Sequence, residues 1–157
     1  MGTGKTSVGR ELARRLRLGF LDLDSEVERA ARRSIPELFR RGAGRFRRLE
    51  SAALRRAAAR KALVVALGGG TLLRRANRLL VRGTGTLVSL SCSEAAVWSR
   101  LRRDEGGRPL LGREPGRRAR LRRLLAARRG LYQDADHVVS TTRRNPAQAA
   151  ARIAALL

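Results

Sequence analysis

The sequence predicts a three-layer α/β/α domain, in which helices cover both faces of a parallel sheet. Short apolar runs alternate with longer stretches whose apolar residues recur at helical spacing, a pattern typical of βαβ units. A glycine-rich turn precedes the first helix, and three glycines follow a fully apolar run, so the backbone can approach a ligand closely at both places. The 157 residues suit one domain, to which we assign residues 1–157.

The predicted strands are short apolar runs that end in polar residues or glycines. In chain order they comprise residues 19–23, 62–67, 85–90 and 137–139. The run at 62–67 has no polar residue, as expected of a strand that is buried on both faces. These strands place several chemically useful residues at strand ends, where ligands bind in open parallel sheets.

The predicted helices lie between the strands and carry apolar residues three or four positions apart. In order they cover residues 5–17, a stretch from Ser25 to a turn at 34–36, a short stretch through Phe39, residues 46–60, 74–81, a helix after Ser93 that carries Ala96, Trp98 and Leu101, residues 118–129, and a final helix that follows Asn145. Gly42 and Gly44 are expected to break the helical pattern, whereas Ser93 and the Asn145-Pro146 pair are typical start signals. Residues 104–118 are rich in glycine, proline and charge, which predicts a long flexible loop.

Charge is the unusual feature of the composition. The chain has 36 basic and 13 acidic residues, a net charge of +23, and nearly all of the basic residues are arginine. The arginines are scattered, mostly in pairs, and few aromatic residues are available for base stacking. This arrangement favours arginine-rich helix surfaces, and it leaves nucleic-acid binding as a second, less favoured hypothesis.

Other function classes are disfavoured by what the sequence lacks. Cys92 is the single cysteine, so neither a disulfide within the chain nor a cysteine metal cluster is expected. Apolar runs fall short of the ~20 residues of a membrane helix, and no secretion leader opens the chain. We therefore expect a cytoplasmic protein.

The chain opens with a phosphate-binding motif. Residues 2–7 read Gly-Thr-Gly-Lys-Thr-Ser, which matches the second half of the P-loop pattern. Lys5 is expected to reach the outer phosphates, and the Thr6 hydroxyl is expected to bind Mg²⁺. The first glycine of the pattern would lie before Met1, and the strand that normally feeds a P-loop is missing from the prediction.

Two acids follow the first predicted strand. If residues 19–23 are extended, Asp22 and Asp24 point the same way and could orient Mg²⁺ and accept a proton from a hydroxyl. The alternative is a solvated strand end, with Asp24 capping the next helix.

An arginine and three glycines complete the candidate site. Arg47 offers a fork suited to a carboxylate, and on a helix it would point away from the face formed by Phe46, Leu49 and Glu50. The glycines at 68–70 allow close ligand approach, or else form only a flexible turn.

In order and spacing, these motifs resemble the shikimate kinase family over nearly the whole chain. The resemblance rests on G-T-G-K-T-S, D-L-D-S-E, F-R-R-L-E, L-G-G-G, R-P-L-L, R-R-G-L-Y and R-R-N-P, which begin at residues 2, 22, 46, 67, 108, 128 and 143. It implies a P-loop kinase fold without its first strand, which the family places centrally in a five-stranded sheet. It also implies that ATP phosphorylates the 3-hydroxyl of shikimate in aromatic amino acid biosynthesis.

The resemblance also implies residue roles. Asp24 would be the base and bind the substrate hydroxyl, with Lys5 and Arg108 as the other catalytic groups, and Arg108 would come from a mobile lid at about residues 104–118. Mg²⁺ would be held by Thr6 and Asp22, and Glu50 would orient Arg47. The shikimate-binding residues would be Asp24, Arg47, Gly68, Gly69, Gly70 and Arg128. The nucleotide-binding residues would be Gly2, Thr3, Gly4, Lys5, Thr6, Ser7, Arg103, Arg108, Arg144 and Pro146.

Two other functions compete with this one. A gluconate kinase of the same fold would lack the F-R-R-L-E and glycine motifs. A non-catalytic remnant would bind anions or nucleic acid through its arginines. Under the leading hypothesis the partners are ATP and shikimate, and we expect a monomer.

Overall fold

A computed structural model describes residues 2–102 and 116–157. In its first half the elements are α1 (Lys5–Leu16), β1 (Gly19–Asp22), α2 (Leu23–Ala31), α3 (Ile35–Arg40), α4 (Ala43–Ala58) and β2 (Leu63–Ala66). A 3₁₀ turn (Thr71–Leu73) leads to α5 (Arg75–Thr84), β3 (Val88–Ser91), α6 (Glu94–Arg102), α7 (Arg117–Gln133), β4 (His137–Ser140) and α8 (Pro146–Ala154).

The strands form two parallel pairs. Strand β1 pairs with β2 in a register that joins Gly19 to Leu63, and β3 pairs with β4 in a register that joins Val88 to His137. Within the described residues, β2 and β3 belong to separate sheets. A cavity of about 1060 Å³ is lined by both of these strands and by α1. In the described part of the chain the strands therefore form two separate pairs, with the cavity between β2 and β3.

Helices cover both faces of the strands, which confirms the three-layer prediction. Val64 packs with α1 and α8 in one apolar cluster, whereas its neighbour Val65 packs with α2, α3 and α4 in another. Successive side chains of a strand point to opposite faces, so this alternation places one helical layer on each side. No helix of the described ranges is both long enough and apolar enough to cross a membrane.

Two local predictions in the first half were wrong. Helix α2 begins at Leu23, directly after β1, so Asp24 lies in a helical turn and the strand alternation of the two acids does not apply. Helix α4 begins at Ala43 and not at residue 46. Gly42, with a φ of 113°, is its N-cap, whereas Gly44 lies within the helix and does not break it.

The second half differs from prediction mainly at element ends. Strand β3 is shifted to Val88–Ser91, and α7 already begins at Arg117, so the last two residues of the predicted lid are helical. Residues 103–115, the remainder of the lid with one residue before it, lie outside the described part. The final helix starts as expected, since Asn145 and Gln148 form a capping box ahead of it.

Candidate functional site

The phosphate loop reaches α1 through two glycines in left-handed conformations. Gly2 has a φ of 65° and Gly4 a φ of 86°, and Gly4 is the N-cap of α1. Residues with a side chain rarely adopt these angles, which explains the glycines. No side chain caps this helix, so its first N–H groups and its dipole can face an anion. This is the local geometry that a nucleotide phosphate requires.

Thr6 and Asp22 lie together, although they are sixteen positions apart in the sequence. The Thr6 hydroxyl donates a hydrogen bond of 2.6 Å to Asp22 Oδ2. The other carboxylate oxygen, Oδ1, caps α2 by accepting from the N–H groups of Asp24 and Ser25. The residue that caps this helix is therefore Asp22, and the alternative that Asp24 caps it was wrong.

This pair of oxygens fits Mg²⁺. A hydroxyl and a carboxylate are hard donors, and Mg²⁺ in nucleotide sites usually takes only one or two protein groups besides phosphate and water. Within the described residues, no cluster of three acidic, histidine or cysteine side chains could hold a metal alone. The Thr6 and Asp22 oxygens suit an ion whose remaining ligands are phosphate and water.

Asp24 occupies a crowded, partly buried position beside this pair. Burial raises the pKa of its carboxyl group, and the neighbouring carboxylates of Asp22 and Glu50 raise it further, against the opposing charges of Lys5 and Arg47. A higher pKa brings a carboxylate closer to the range in which it accepts protons efficiently.

Gly68 leaves room for the Asp24 carboxylate. A Cβ on Gly68 would lie 2.5 Å from Asp24 Oδ1 and 2.9 Å from Glu50 Oε1. Because Glu50 is held by Arg47 and Thr71, a side chain at position 68 would displace the Asp24 carboxylate. The first glycine of the three therefore has a packing reason, which the flexible-turn alternative does not supply.

Arg47 is held by a buried acid and two aromatic rings. Its Nη1 donates to Glu50 Oε2 at 2.6 Å, and Glu50 is fully buried. The second Glu50 oxygen accepts from Thr71 Oγ1 at 2.7 Å. The Arg47 Cζ atom lies 5.0 Å from the Phe46 ring centroid and 5.8 Å from that of Phe39, within cation–π range. The prediction that Arg47 points away from Glu50 was wrong, since residues three apart on a helix are neighbours.

Gly70 lies directly against this guanidinium. A Cβ on Gly70 would come within 2.7 Å of both Arg47 Cζ and Nη1. The guanidinium would have to move, so glycine at position 70 sets the orientation of Arg47. Glu50, Thr71 and Gly70 together leave Arg47 few alternative positions.

Arg128 approaches the same loop from α7. The residue is 6% exposed, and Tyr132, one turn further along the helix, donates from its hydroxyl to the Gly69 carbonyl at 2.7 Å. Residues four apart share a helix face, so Arg128 lies on the side of α7 that contacts the glycine loop. Tyr132 is not among the predicted site residues, although it ends the R-R-G-L-Y motif that begins at Arg128.

Among the predicted nucleotide-binding residues, Arg144 and Pro146 lie at the start of α8, and their contact with a nucleotide stays a prediction. Arg144 Nη1 donates to the Ser140 carbonyl at 2.9 Å, and Pro146 begins α8. Arg144 also lines a surface cavity of about 570 Å³ with Arg143 and Gln148. Arg103 and Arg108 lie outside the described residues, so their positions stay predictions.

Known proteins resemble this chain over its length. The sequence profile of the shikimate kinase family matches residues 1–157. The shikimate kinase of Thermus thermophilus is 43% identical over 145 residues, which are 92% of this chain and 78% of that protein. That of Cereibacter sphaeroides is 42% identical over 154 residues, which are 98% of this chain and 76% of that protein.

Solved structures of shikimate kinases also resemble this chain. Shikimate kinase from Acinetobacter baumannii in complex with shikimate superposes with a TM-score of 0.94 at 38% identity, covering 99% of this chain and 87% of that one. A gluconokinase from Sinorhizobium meliloti reaches a TM-score of 0.61 at 20% identity, which is a likeness of fold alone. The profile and the identity to these relatives, together with the site geometry, show that the chain belongs to the shikimate kinase family.

Proposed function

We propose that this chain transfers the γ-phosphoryl group of ATP to the 3-hydroxyl of shikimate, with Mg²⁺ bound together with the nucleotide. The observation that carries the proposal is the convergence of two half-sites around Asp24. On one side is the phosphate loop with Lys5, and on the other is the anchored Arg47 beside the glycines. A carboxylate between a phosphate site and a carboxylate-binding arginine suits transfer to a hydroxyl of an acidic substrate.

The role of each side chain follows from its charge and its position in the site. Arg47 and Arg128 bind the substrate carboxylate, which directs the hydroxyl toward Asp24. Asp24 accepts the hydroxyl proton as the oxygen attacks phosphorus, and its raised pKa suits that role. Lys5 and the N–H groups of the phosphate loop stabilise negative charge on the transferred group.

Thr6 and Asp22 would hold the metal ion, and Mg²⁺ would supply charge neutralisation between the outer phosphates. Arg144 and Pro146 are proposed to flank the nucleotide base, and Arg103 and the lid residue Arg108 are proposed to complete this side. Transfer of this kind consumes ATP and shikimate within the cytoplasm, and we propose that the chain acts as a monomer.

The test is acceptor-dependent ADP formation by the purified chain. We expect ADP release from ATP and Mg²⁺ in the presence of shikimate, no release above background with gluconate, and loss of activity with a chelator. Release that is independent of shikimate, or faster with gluconate, would reject the assignment.

A parallel measurement addresses the charge of +23. If the chain shows no kinase activity yet binds duplex DNA with an affinity that falls steeply with salt, then the anion-binding alternative is correct. Weak, salt-sensitive DNA binding alongside shikimate-dependent turnover would instead reflect the arginine-rich surface.

A further inference from the structure

Thr141 ties the phosphate loop to the last two strands. It follows β4 and is 2% exposed, and its N–H donates to the Ser91 carbonyl at 2.8 Å. Its hydroxyl oxygen lies 3.1 Å from the Thr3 carbonyl and 3.2 Å from the Ser91 carbonyl. The hydroxyl has one proton, so it can donate to one of these carbonyls at a time.

Arg100 reaches the same place from α6. Its Nη2 donates to the Thr141 carbonyl at 2.9 Å, and its Nη1 lies 3.2 Å from the Gly2 carbonyl. The same Nη1 is 3.5 Å from Thr141 Oγ1. Because guanidinium only donates, the threonine hydroxyl is left to direct its own proton toward a carbonyl. Two consecutive carbonyls of the phosphate loop, those of Gly2 and Thr3, thus have donors from the α6 and β4 side.

Because the peptide bond is planar, the contacts to the Gly2 and Thr3 carbonyls also fix the orientation of the N–H groups that follow them. In a trans peptide the C=O of one residue and the N–H of the next point in opposite directions. Holding the Gly2 carbonyl therefore directs the Thr3 N–H away from Arg100, and holding the Thr3 carbonyl directs the Gly4 N–H away from Thr141. The left-handed glycines on either side of Thr3 let successive N–H groups form a concave anion site.

We propose that Arg100 and Thr141 are positioning residues for the nucleotide, which act by aiming the Thr3 and Gly4 N–H groups at its phosphates. Neither side chain needs to touch the phosphates for this. The inference rests on the proposed function, since it presumes that the loop binds nucleotide phosphate.

The test compares ADP binding, measured by calorimetry without shikimate, in variants of each residue. Thr141→Val keeps the side-chain shape without the hydroxyl, Thr141→Ser restores the hydroxyl, and Arg100→Gln replaces an exposed guanidinium by a shorter, uncharged amide. We expect the valine and glutamine variants to bind ADP about 2- to 10-fold more weakly, the equivalent of one hydrogen bond, with the serine variant near wild type.

Matched controls separate positioning from stability and from charge. Thr84 is exposed at the end of α5 and its hydroxyl donates to the Leu80 carbonyl, with no bond to the phosphate loop, so Thr84→Val should bind ADP as wild type does. Arg152 is exposed on α8, so Arg152→Gln removes the same charge at a site without loop contacts. In turnover, the KM for ATP should rise with the KM for shikimate unchanged, a split that general destabilisation would not produce.

The outcomes are distinguishable. If wild type binds ADP and both Thr141→Val and Arg100→Gln bind it equally well, then the inference is wrong and the proposed function stands. An equal loss in Arg152→Gln and Arg100→Gln would also overturn the inference, because bulk charge would then explain the effect. If Thr141→Val does not fold, then Arg100→Gln decides. A wild-type chain that binds no ADP overturns this inference and the proposed function together.

Discussion

The pairing of Arg47 with Glu50 allows substrate binding and fold stability to be separated. Arg47→Met removes the guanidinium and leaves Glu50 fully buried, with one remaining donor from Thr71 at 2.7 Å. Removing one partner of a buried ion pair costs about 3–5 kcal/mol. The surviving Thr71 bond places the expected loss near the lower end, about 3 kcal/mol, out of a total stability of about 5–15 kcal/mol.

Two assays follow from this magnitude. For a domain of this size, about 3 kcal/mol corresponds to a fall in Tm of about 6–12 °C, which calorimetry or circular dichroism measures. Loss of a charge-assisted bond to the substrate carboxylate, about 1.5–3 kcal/mol, raises the KM for shikimate by about 10- to 150-fold, with little change in the KM for ATP. Arg48→Met, at an exposed neighbouring position, is the matched control and should change neither quantity.

The double variant Arg47→Met/Glu50→Gln provides the decisive comparison. Glutamine retains an acceptor for Thr71 without the unpaired charge, so most of the lost Tm should return while the KM for shikimate stays high. If the double variant remains as unstable as Arg47→Met, then the unpaired charge is not the cause of the instability. If Arg47→Met leaves the KM for shikimate unchanged, then Arg47 does not bind the substrate.

Two other substitutions test the base and the glycine loop. Asp24→Asn should lower kcat by about 10²- to 10⁴-fold, and in wild type the acidic limb of the kcat profile should lie above the ordinary aspartate range. A carboxyl group whose pKa is raised by folding destabilises the fold once pH exceeds its unfolded pKa. Asp24→Asn should therefore raise Tm at pH 7, and this gain should vanish at acidic pH. Equal Tm values for Asp24→Asn and wild type, at pH 7 as well as at acidic pH, would contradict that reasoning. Gly70→Ala should displace the Arg47 guanidinium and raise the KM for shikimate about tenfold or more, measured by initial rates. Gly83→Ala, in a helix with open space, should leave that KM unchanged and add about 0.5–1 kcal/mol of stability.

The sequence by itself determined the features that depend on local chemistry. The phosphate loop could be predicted from the sequence, because left-handed backbone at positions 2 and 4, next to an open helix N-terminus, requires glycine. The start of α8 could be predicted because Asn145 and Pro146 are typical residues at the N-terminus of a helix. The alternation of strands and helices predicted the layers, since the period of apolar residues reports which faces are buried.

Only the tertiary structure decided how the site is assembled. Asp22 meets Thr6 across sixteen positions, Tyr132 meets Gly69 across sixty-three, and Thr141 reaches back to Thr3 across one hundred and thirty-eight. Such contacts depend on how whole elements pack, and no local pattern encodes them. The expected strand alternation of Asp22 and Asp24 was wrong for a local reason, because the Asp22 carboxylate caps α2, which begins at Leu23 and not at Ser25. The sequence supplied the chemical groups, and packing decided which of them meet and how each is oriented.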